Sequence, residues 1–400
     1  MKIALVHLRH AGTGGTEGFL NHLVRHLAEH GHEPVVVCRR HEEPPHPAVR
    51  FVVRRSLAIG AGMRHWRFAV AVERHVRRTA YDVVLGLGRT WSQDVLRLGG
   101  GCHRTWLETG YGAGRGRAIR AAGRARARHR VALWIEERAL RPGVNRRVIA
   151  NSEMVKRDVM ARYGLPAEEV AVVHNGVDLE RFHPRRRSGE GRQLRAALGI
   201  GPDELVVLFL GHGFARKGLD IALSAFPRLR KERRDAHLVV VGHDSAAGAF
   251  ATLARRLGAG ERVHFLGGRR DPEACYAAAD LYVLPTRYDP FANSTLEALA
   301  AGLPVLTSDA NGGAELIEPG VEGTVLPAAA GAAEWGATLA EWSAPARLTA
   351  AAPLARALAE AHSIESKMEQ TTALLEEVAL EKGAAGTAAV PYDPRRIPRS

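Results

Sequence analysis

Short apolar runs of strand length, each followed by a loop and then a helical pattern, recur in both halves of the chain. They lie at 3–8, 34–38 and 81–87 in the first half and at 205–210, 237–242, 263–266 and 281–285 in the second. Runs this brief and this uniformly apolar suit strands buried on both faces, which in an α/β protein are covered by helices. The predicted class is therefore α/β, with βαβ units in each half. Between the halves lies P-R-R-R-S-G-E-G-R at 184–192, whose charge and glycine content read as an interdomain linker. At 400 residues the chain is long enough for two such cores.

The most informative unit runs over 280–307. Residues 281–285 form the predicted strand, 288–293 a turn-rich loop, and 295–301 a helix closed by Gly302, with Pro304 opening another strand. A strand, loop and helix N-terminus of this kind makes an anion pocket. The first-turn N–H groups of Asn293, Ser294 and Thr295 and the positive end of the helix dipole favour a phosphate. Glu297, inside the first turns, is placed to accept from sugar hydroxyls. Asp289 and Glu297 are thus two carboxylates eight residues apart that flank one loop. Upstream, the strand at 205–210 opens into G-H-G-F-A-R-K-G, which sets Arg216 and Lys217 side by side at the start of the next helix. Two cations there suit a doubly charged leaving group. Pro227 is expected to kink or end that helix early.

The 280–307 stretch resembles the donor-site signature of retaining glycosyltransferases of family 4, which have the GT-B fold and carry two glutamates around an E-G-F-G-L-x-x-L-E type segment. The resemblance implies two Rossmann-like βαβ domains facing across a cleft, with the C-terminal helix crossing back to the first. Glu297 matches the second glutamate, which in the family holds the donor ribose. Asp289, with D-P-F-A-N for E-G-F-G-L, stands at the first and is shorter by about one methylene. Gly213, Arg216 and Lys217 match the segment that holds the donor pyrophosphate, and Phe291, Ala292, Asn293 and Ser294 form the loop beside it. Arg269, in the G-G-R-R-D-P-E loop, falls where the family places the nucleobase. In the first half, the loop A-G-T-G-G-T-E resembles the family's G-G-x-E loop and would set Gly15 against the pyrophosphate, and His103, after Gly99, Gly100 and Gly101, would contact the donor sugar. The whole pattern is most similar to the lipopolysaccharide core glucosyltransferase I group. The implied division is an acceptor domain at 1–184, a donor domain at 185–362, a return helix at 363–382 and a disordered tail at 383–400.

Charge narrows the partners. The net charge is +13, and residues 111–130 hold seven arginines, among them Arg115, Arg117, Arg120, Arg124, Arg126 and Arg128. Such density cannot form a core; it suits an anionic membrane surface or a phosphorylated acceptor, or else a solvated arm. A basic nucleic-acid binder is the alternative, but no stacking aromatic lies within 115–130. G-T-G-G-T-E lacks the third glycine of a dinucleotide fingerprint, which removes a nicotinamide oxidoreductase. The three cysteines, Cys38, Cys102 and Cys275, are far apart and point to a reducing compartment rather than a disulfide framework or zinc site. No signal peptide precedes the first strand, no apolar run reaches membrane-span length, and Asp-x-Asp is absent. The expectation is therefore a hexosyltransferase that needs no metal or cofactor. It would move sugar from a nucleotide diphosphate, a UDP-sugar in the first instance, to a glycolipid at the cytoplasmic face of the membrane.

Overall fold

The computed structural model describes residues 1–11, 14–42, 46–55, 60–109 and 127–384. Thirteen strands among them form two sheets, parallel throughout. The first contains β1 (Lys2–Val6), β2 (Glu33–Cys38), β3 (Arg50–Val53), β4 (Val83–Gly86), β5 (Val95–Leu98), β6 (Arg147–Ala150) and β7 (Val170–Val172). Its order is β3-β2-β1-β4-β5-β6-β7. The second contains β8 (Val206–Leu210), β9 (His237–Val241), β10 (Val263–Gly267), β11 (Leu281–Leu284), β12 (Val305–Ser308) and β13 (Gly323–Leu326), in the order β10-β9-β8-β11-β12-β13. Both are Rossmann-like, the two-domain arrangement that the resemblance implies. In each sheet the strand order reverses at one point, between β1 and β4 and between β8 and β11. Crevices at the carboxyl ends of the strands open there, which is where open α/β sheets hold ligands.

Burial follows the apolar runs. Ile3, Leu5, Val83, Leu85 and Ile149 sit in the first core, and Val207, Leu208, Phe209, Tyr282 and Leu306 in the second. Helix Ile364–Ala384 returns to the first sheet and adds Met368, Leu375 and Val378 to its core. Arg147 ties the helix down through Glu377 and Glu381, and Lys382 reaches Asp94 at 2.9 Å. That anchorage carries the helix through residues 383 and 384, which composition had assigned to the tail; the rest of the tail, 385–400, lies outside the described residues. No helix among the described residues is long and apolar enough to cross a membrane.

Three local expectations are corrected. The stretch at 184–192 is not an open linker: Pro184–Ser188 is a 3-10 turn, and helix Glu190–Ala197 follows it. Several of their charges are paired, with Arg186 on Glu190, Arg187 on Asp280, and the buried Arg195 on Asp280 and four carbonyls. Pro227 does not end its helix, which runs from Leu219 to Glu232 because Phe226 and Leu229 bury their side chains on either side of the proline. Arg216 and Lys217 end a separate single turn, Phe214–Lys217, rather than starting the longer helix. The break falls at Gly218, whose φ of 78° is the left-handed conformation that glycine adopts without a Cβ penalty.

Candidate active site

The β11 exit loop is built around Asn311, which is only 1% exposed. Its Oδ1 accepts from the N–H of Ala292 at 3.1 Å and of Gly313 at 3.0 Å, and its Nδ2 donates to Thr295 and Thr307. Asp289 and Asn311 form a parallel bridge, so the loop from Asp289 to Ala292 is fixed before helix Asn293–Ala300 begins. Phe291 and Ala292 are buried as part of that brace. Asn293 and Ser294 open the helix with first-turn N–H groups that have no intrahelical acceptor.

Against this loop stand the two cations of the β8 exit. Arg216 donates to Asp289 Oδ2 at 2.8 Å and to the Tyr288 carbonyl at 2.9 Å, and Lys217 Nζ lies 2.6 Å from the same Oδ2. Lys217 and Asp289 are each 7% exposed. Burial alone would raise the Asp289 carboxyl, but Lys217 and Arg216 more than offset it and hold the group below its ordinary range. Glu297 differs. Tyr276 donates to it at 2.7 Å, yet burial dominates and raises its carboxyl above the usual value. The two carboxylates that spacing paired are thus electrostatically unlike: one is locked to cations, the other is buried against a phenol. Gly213 starts the Phe214–Lys217 turn in a left-handed conformation. Arg269 turns to Asp271 at 2.5 Å on an exposed loop and joins no group of this cluster.

The first domain meets the loop directly. Ser152 caps helix Glu153–Tyr163 and also donates to the Pro290 carbonyl at 2.8 Å. Asn175 donates to Asn293 Oδ1 at 2.6 Å, while Glu315 accepts from the Glu153 N–H and from His174 at 2.6 Å. Gly15 is the first residue of helix Gly15–Glu29, and a Cβ there would meet nothing within 4 Å, so its backbone faces open space.

His103 sits elsewhere in the cleft. It lines a cavity of about 700 Å³ at the β1/β4 crevice, together with His7, Arg89, Trp106, Arg128 and Glu136. Its ring stacks on Trp106 and meets His129 at 3.0 Å, its backbone N–H donates to Glu136, and Arg89 lies 3.4 Å from Nδ1. Burial and then Arg89 pull its imidazole down to about 3, so the ring is neutral near pH 7. Among the described residues no hydrogen bond joins it to Arg216, Lys217, Asp289 or Glu297. Of the basic run, Arg115, Arg117, Arg120, Arg124 and Arg126 lie outside the described residues, and Arg128 is exposed on helix Ala127–Ala139 beside this cavity. Sequence reasoning assigned no role to Asn175, Asn311 or Tyr276. Asn175, in H-N-G-V-D, and Asn311, in S-D-A-N-G-G-A-E-L-I, had local signals.

Comparison with known proteins places each half of the chain separately. Residues 191–346 match the family model of glycosyl transferases group 1, and residues 13–181 match that of glycosyltransferase family 4. The chain is similar to an uncharacterized glycosyltransferase of Methanocaldococcus jannaschii, 32% identical over 200 residues, covering 49% of this chain and 51% of that one. It is also similar to a D-inositol 3-phosphate glycosyltransferase of a Mycobacterium species (strain KMS), 35% identical over 187 residues, 45% of this chain and 41% of the other. The chain thus spans about half the length of the curated relatives it matches. Among solved structures, WaaG, a glycosyltransferase involved in lipopolysaccharide biosynthesis, superposes with a TM-score of 0.77 at 24% identity, over 93% of this chain and 99% of WaaG. Anabaena HepE in complex with UDP-glucose gives 0.69 at 21%, over 94% and 100%. Each half of the chain is therefore a glycosyltransferase-type domain.

Proposed function

We propose that these two glycosyltransferase-type domains work as one retaining transferase, moving a hexose from a nucleotide diphosphate, a UDP-sugar, to a hydroxyl of a glycolipid. The observation that carries the reading is the Arg216, Lys217 and Asp289 cluster at the second sheet's reversal point, whose loop leads into the helix that carries Glu297 one turn in. Its cations already neutralise a carboxylate, and a diphosphate carries more charge than Asp289 does. On donor binding the diphosphate displaces Asp289 from Arg216 and Lys217, and the freed carboxylate turns to the sugar. The first-turn N–H groups at Asn293 and Ser294 add a second source of positive potential. Glu297 accepts from the ribose hydroxyls. As the glycosidic bond breaks, charge grows on the leaving phosphate, where both cations stabilise it. The acceptor hydroxyl attacks from the same face and passes its proton to that phosphate. The cations and helix N-termini supply the neutralisation a metal ion gives elsewhere, so the reaction proceeds without one.

WaaG's part in lipopolysaccharide biosynthesis supports a glycolipid acceptor of the lipopolysaccharide core type, and the UDP-glucose complex of HepE supports the donor class. A peripheral position on the cytoplasmic membrane face draws support from helices Ala61–Val76 and Ala127–Ala139, which expose Met63, Trp66 and Trp134, the second helix also exposing Arg128 and Arg130. A donor screen with product analysis in excess EDTA tests the proposal. Hexose transfer with retained anomeric configuration is expected; inactivity with every nucleotide sugar, or strict dependence on a divalent ion, would overturn it.

A further inference from the structure

One cation in the cleft has no counter-ion. Arg97, on β5, is 4% exposed, and among the described residues no carboxylate pairs with it. Its Nη2 donates to the neutral Asn175 Oδ1 at 2.7 Å, its Nε has no partner, and the guanidinium lies 3.7 Å from the ring centre of Phe19. An aromatic face and one amide account for only part of a guanidinium that offers five donors. Arg97 lines the crevice already described together with Thr16 and Gly99. A Cβ on Gly99 would fall 2.4 Å from Arg97 Nη1 and 3.9 Å from Thr16 Oγ1, so residue 99 leaves room for the guanidinium beside the first turn of helix Gly15–Glu29. Glu17, the carboxylate on that turn, faces His7 and Arg9 instead, at 4.0 and 3.9 Å.

Burying a charge without a counter-ion is unfavourable, and a folded chain tolerates it where the missing charge arrives from outside. Burial draws the Arg97 guanidinium down to about 10, with no acidic neighbour acting against it. We infer that Arg97, with Thr16 and the first turn of helix Gly15–Glu29, forms an anion site separate from Arg216 and Lys217, taking a phosphate-type oxyanion in the fork of the guanidinium. The site rests on this geometry alone. Under the transfer reading its anion is a phosphate group, either on the acceptor or at the distal end of the donor diphosphate. Arg97 also holds Asn175, which holds Asn293 at the mouth of the donor helix, so occupancy of this site is communicated across the cleft through two hydrogen bonds.

Inorganic phosphate is the probe. Thermal unfolding of the full chain is followed against phosphate concentration for the wild type, Arg97→Met and the Arg216→Ala, Lys217→Ala double variant, with and without saturating UDP. The wild type is expected to gain stability with phosphate. Arg97→Met should need at least fivefold more phosphate for the same gain, and the double variant should keep a phosphate response that is lost when Arg97→Met is added to it. A response that persists under UDP assigns the anion to the acceptor, and one abolished by UDP assigns it to the donor's distal phosphate. Without phosphate, Arg97→Met should unfold at the same temperature as the wild type or higher, since it no longer buries a lone charge. Equal phosphate responses in wild type and Arg97→Met, no response in the wild type, or a marked loss of stability in phosphate-free Arg97→Met would each overturn the inference.

Discussion

Lys217 and Arg216 share one carboxylate oxygen in the absence of donor, and that sharing sets what substitutions there should do. Arg216→Ala and Lys217→Ala should each lower turnover more than tenfold with the fold intact, because each removes charge stabilisation of about 2 to 4 kcal/mol from the leaving diphosphate. Steady-state kinetics beside circular dichroism check this; near-wild-type rates in both would remove catalysis from the loop. Asp289→Asn should behave oppositely toward the product nucleotide. With no resident carboxylate to displace, UDP should bind several-fold tighter while sugar transfer falls, a split that calorimetry and turnover report separately. Glu297→Gln should weaken UDP, since a neutral amide is a poorer acceptor for ribose hydroxyls. At this scale the sequence brought together residues that lie in short segments, as with Arg216 and Lys217 at one strand exit and Asp289 and Glu297 at the next. It was silent where a contact joins distant positions, as with Asn175 and Asn293, 118 residues apart, or Arg97, whose missing counter-ion is visible only in three dimensions.

Among the elements, the apolar runs located β1, β2, β4, β8, β9, β10 and β11 to within a residue or two, because burial on both faces leaves little choice of residue type, whereas β3 and β5, each carrying an arginine, were not read. Composition misled where ordered helix is rich in arginine. The segment at 184–192 reads as linker, yet Arg186 pairs with Glu190, and Arg187 pairs with Asp280 and donates to the Ala279 carbonyl. The break between helix Phe214–Lys217 and helix Leu219–Glu232 was not anticipated either, although R-K-G contains its cause. Gly218 has φ 78°, and a Cβ there would lie 1.8 Å from the Pro285 carbonyl oxygen at the β11 exit. Gly218→Ala should therefore lose stability through the left-handed penalty of about 1 to 2 kcal/mol and through that contact. Transfer should suffer more than folding, since the displaced turn carries Lys217. Melting temperature and turnover measured together test this, and an Ala variant unchanged in both would contradict the packing described.

Across the described residues, burial lowers many histidines and so ties stability to pH, His103 and His362 among them. Burial holds His103 down to about 3 and His362 down to about 4, against an ordinary value of 6.5 in the unfolded chain. The unfolded state therefore binds more protons than the folded one below pH 6.5, so their contribution is complete above that value and lost as pH falls toward 4. The melting temperature should drop between pH 7 and pH 5, and a His103→Gln, His362→Gln variant should show a shallower drop; parallel curves would refute the assignment. The two-sheet architecture was readable from periodicity, whereas the way the domains meet, through Ser152 on Pro290 and Glu315 on His174, follows from tertiary geometry that no local pattern encodes. The claim on which the proposed function depends is that the β8 and β11 exits of the second domain hold a nucleoside diphosphate on Arg216 and Lys217. Isothermal titration of UDP into the wild type and the Lys217→Ala variant, both in EDTA, measures it directly. One site per chain is expected in the wild type, weakened at least tenfold in the variant. Absence of binding by UDP and by every other nucleoside diphosphate, or equal affinity in the two proteins, would contradict it.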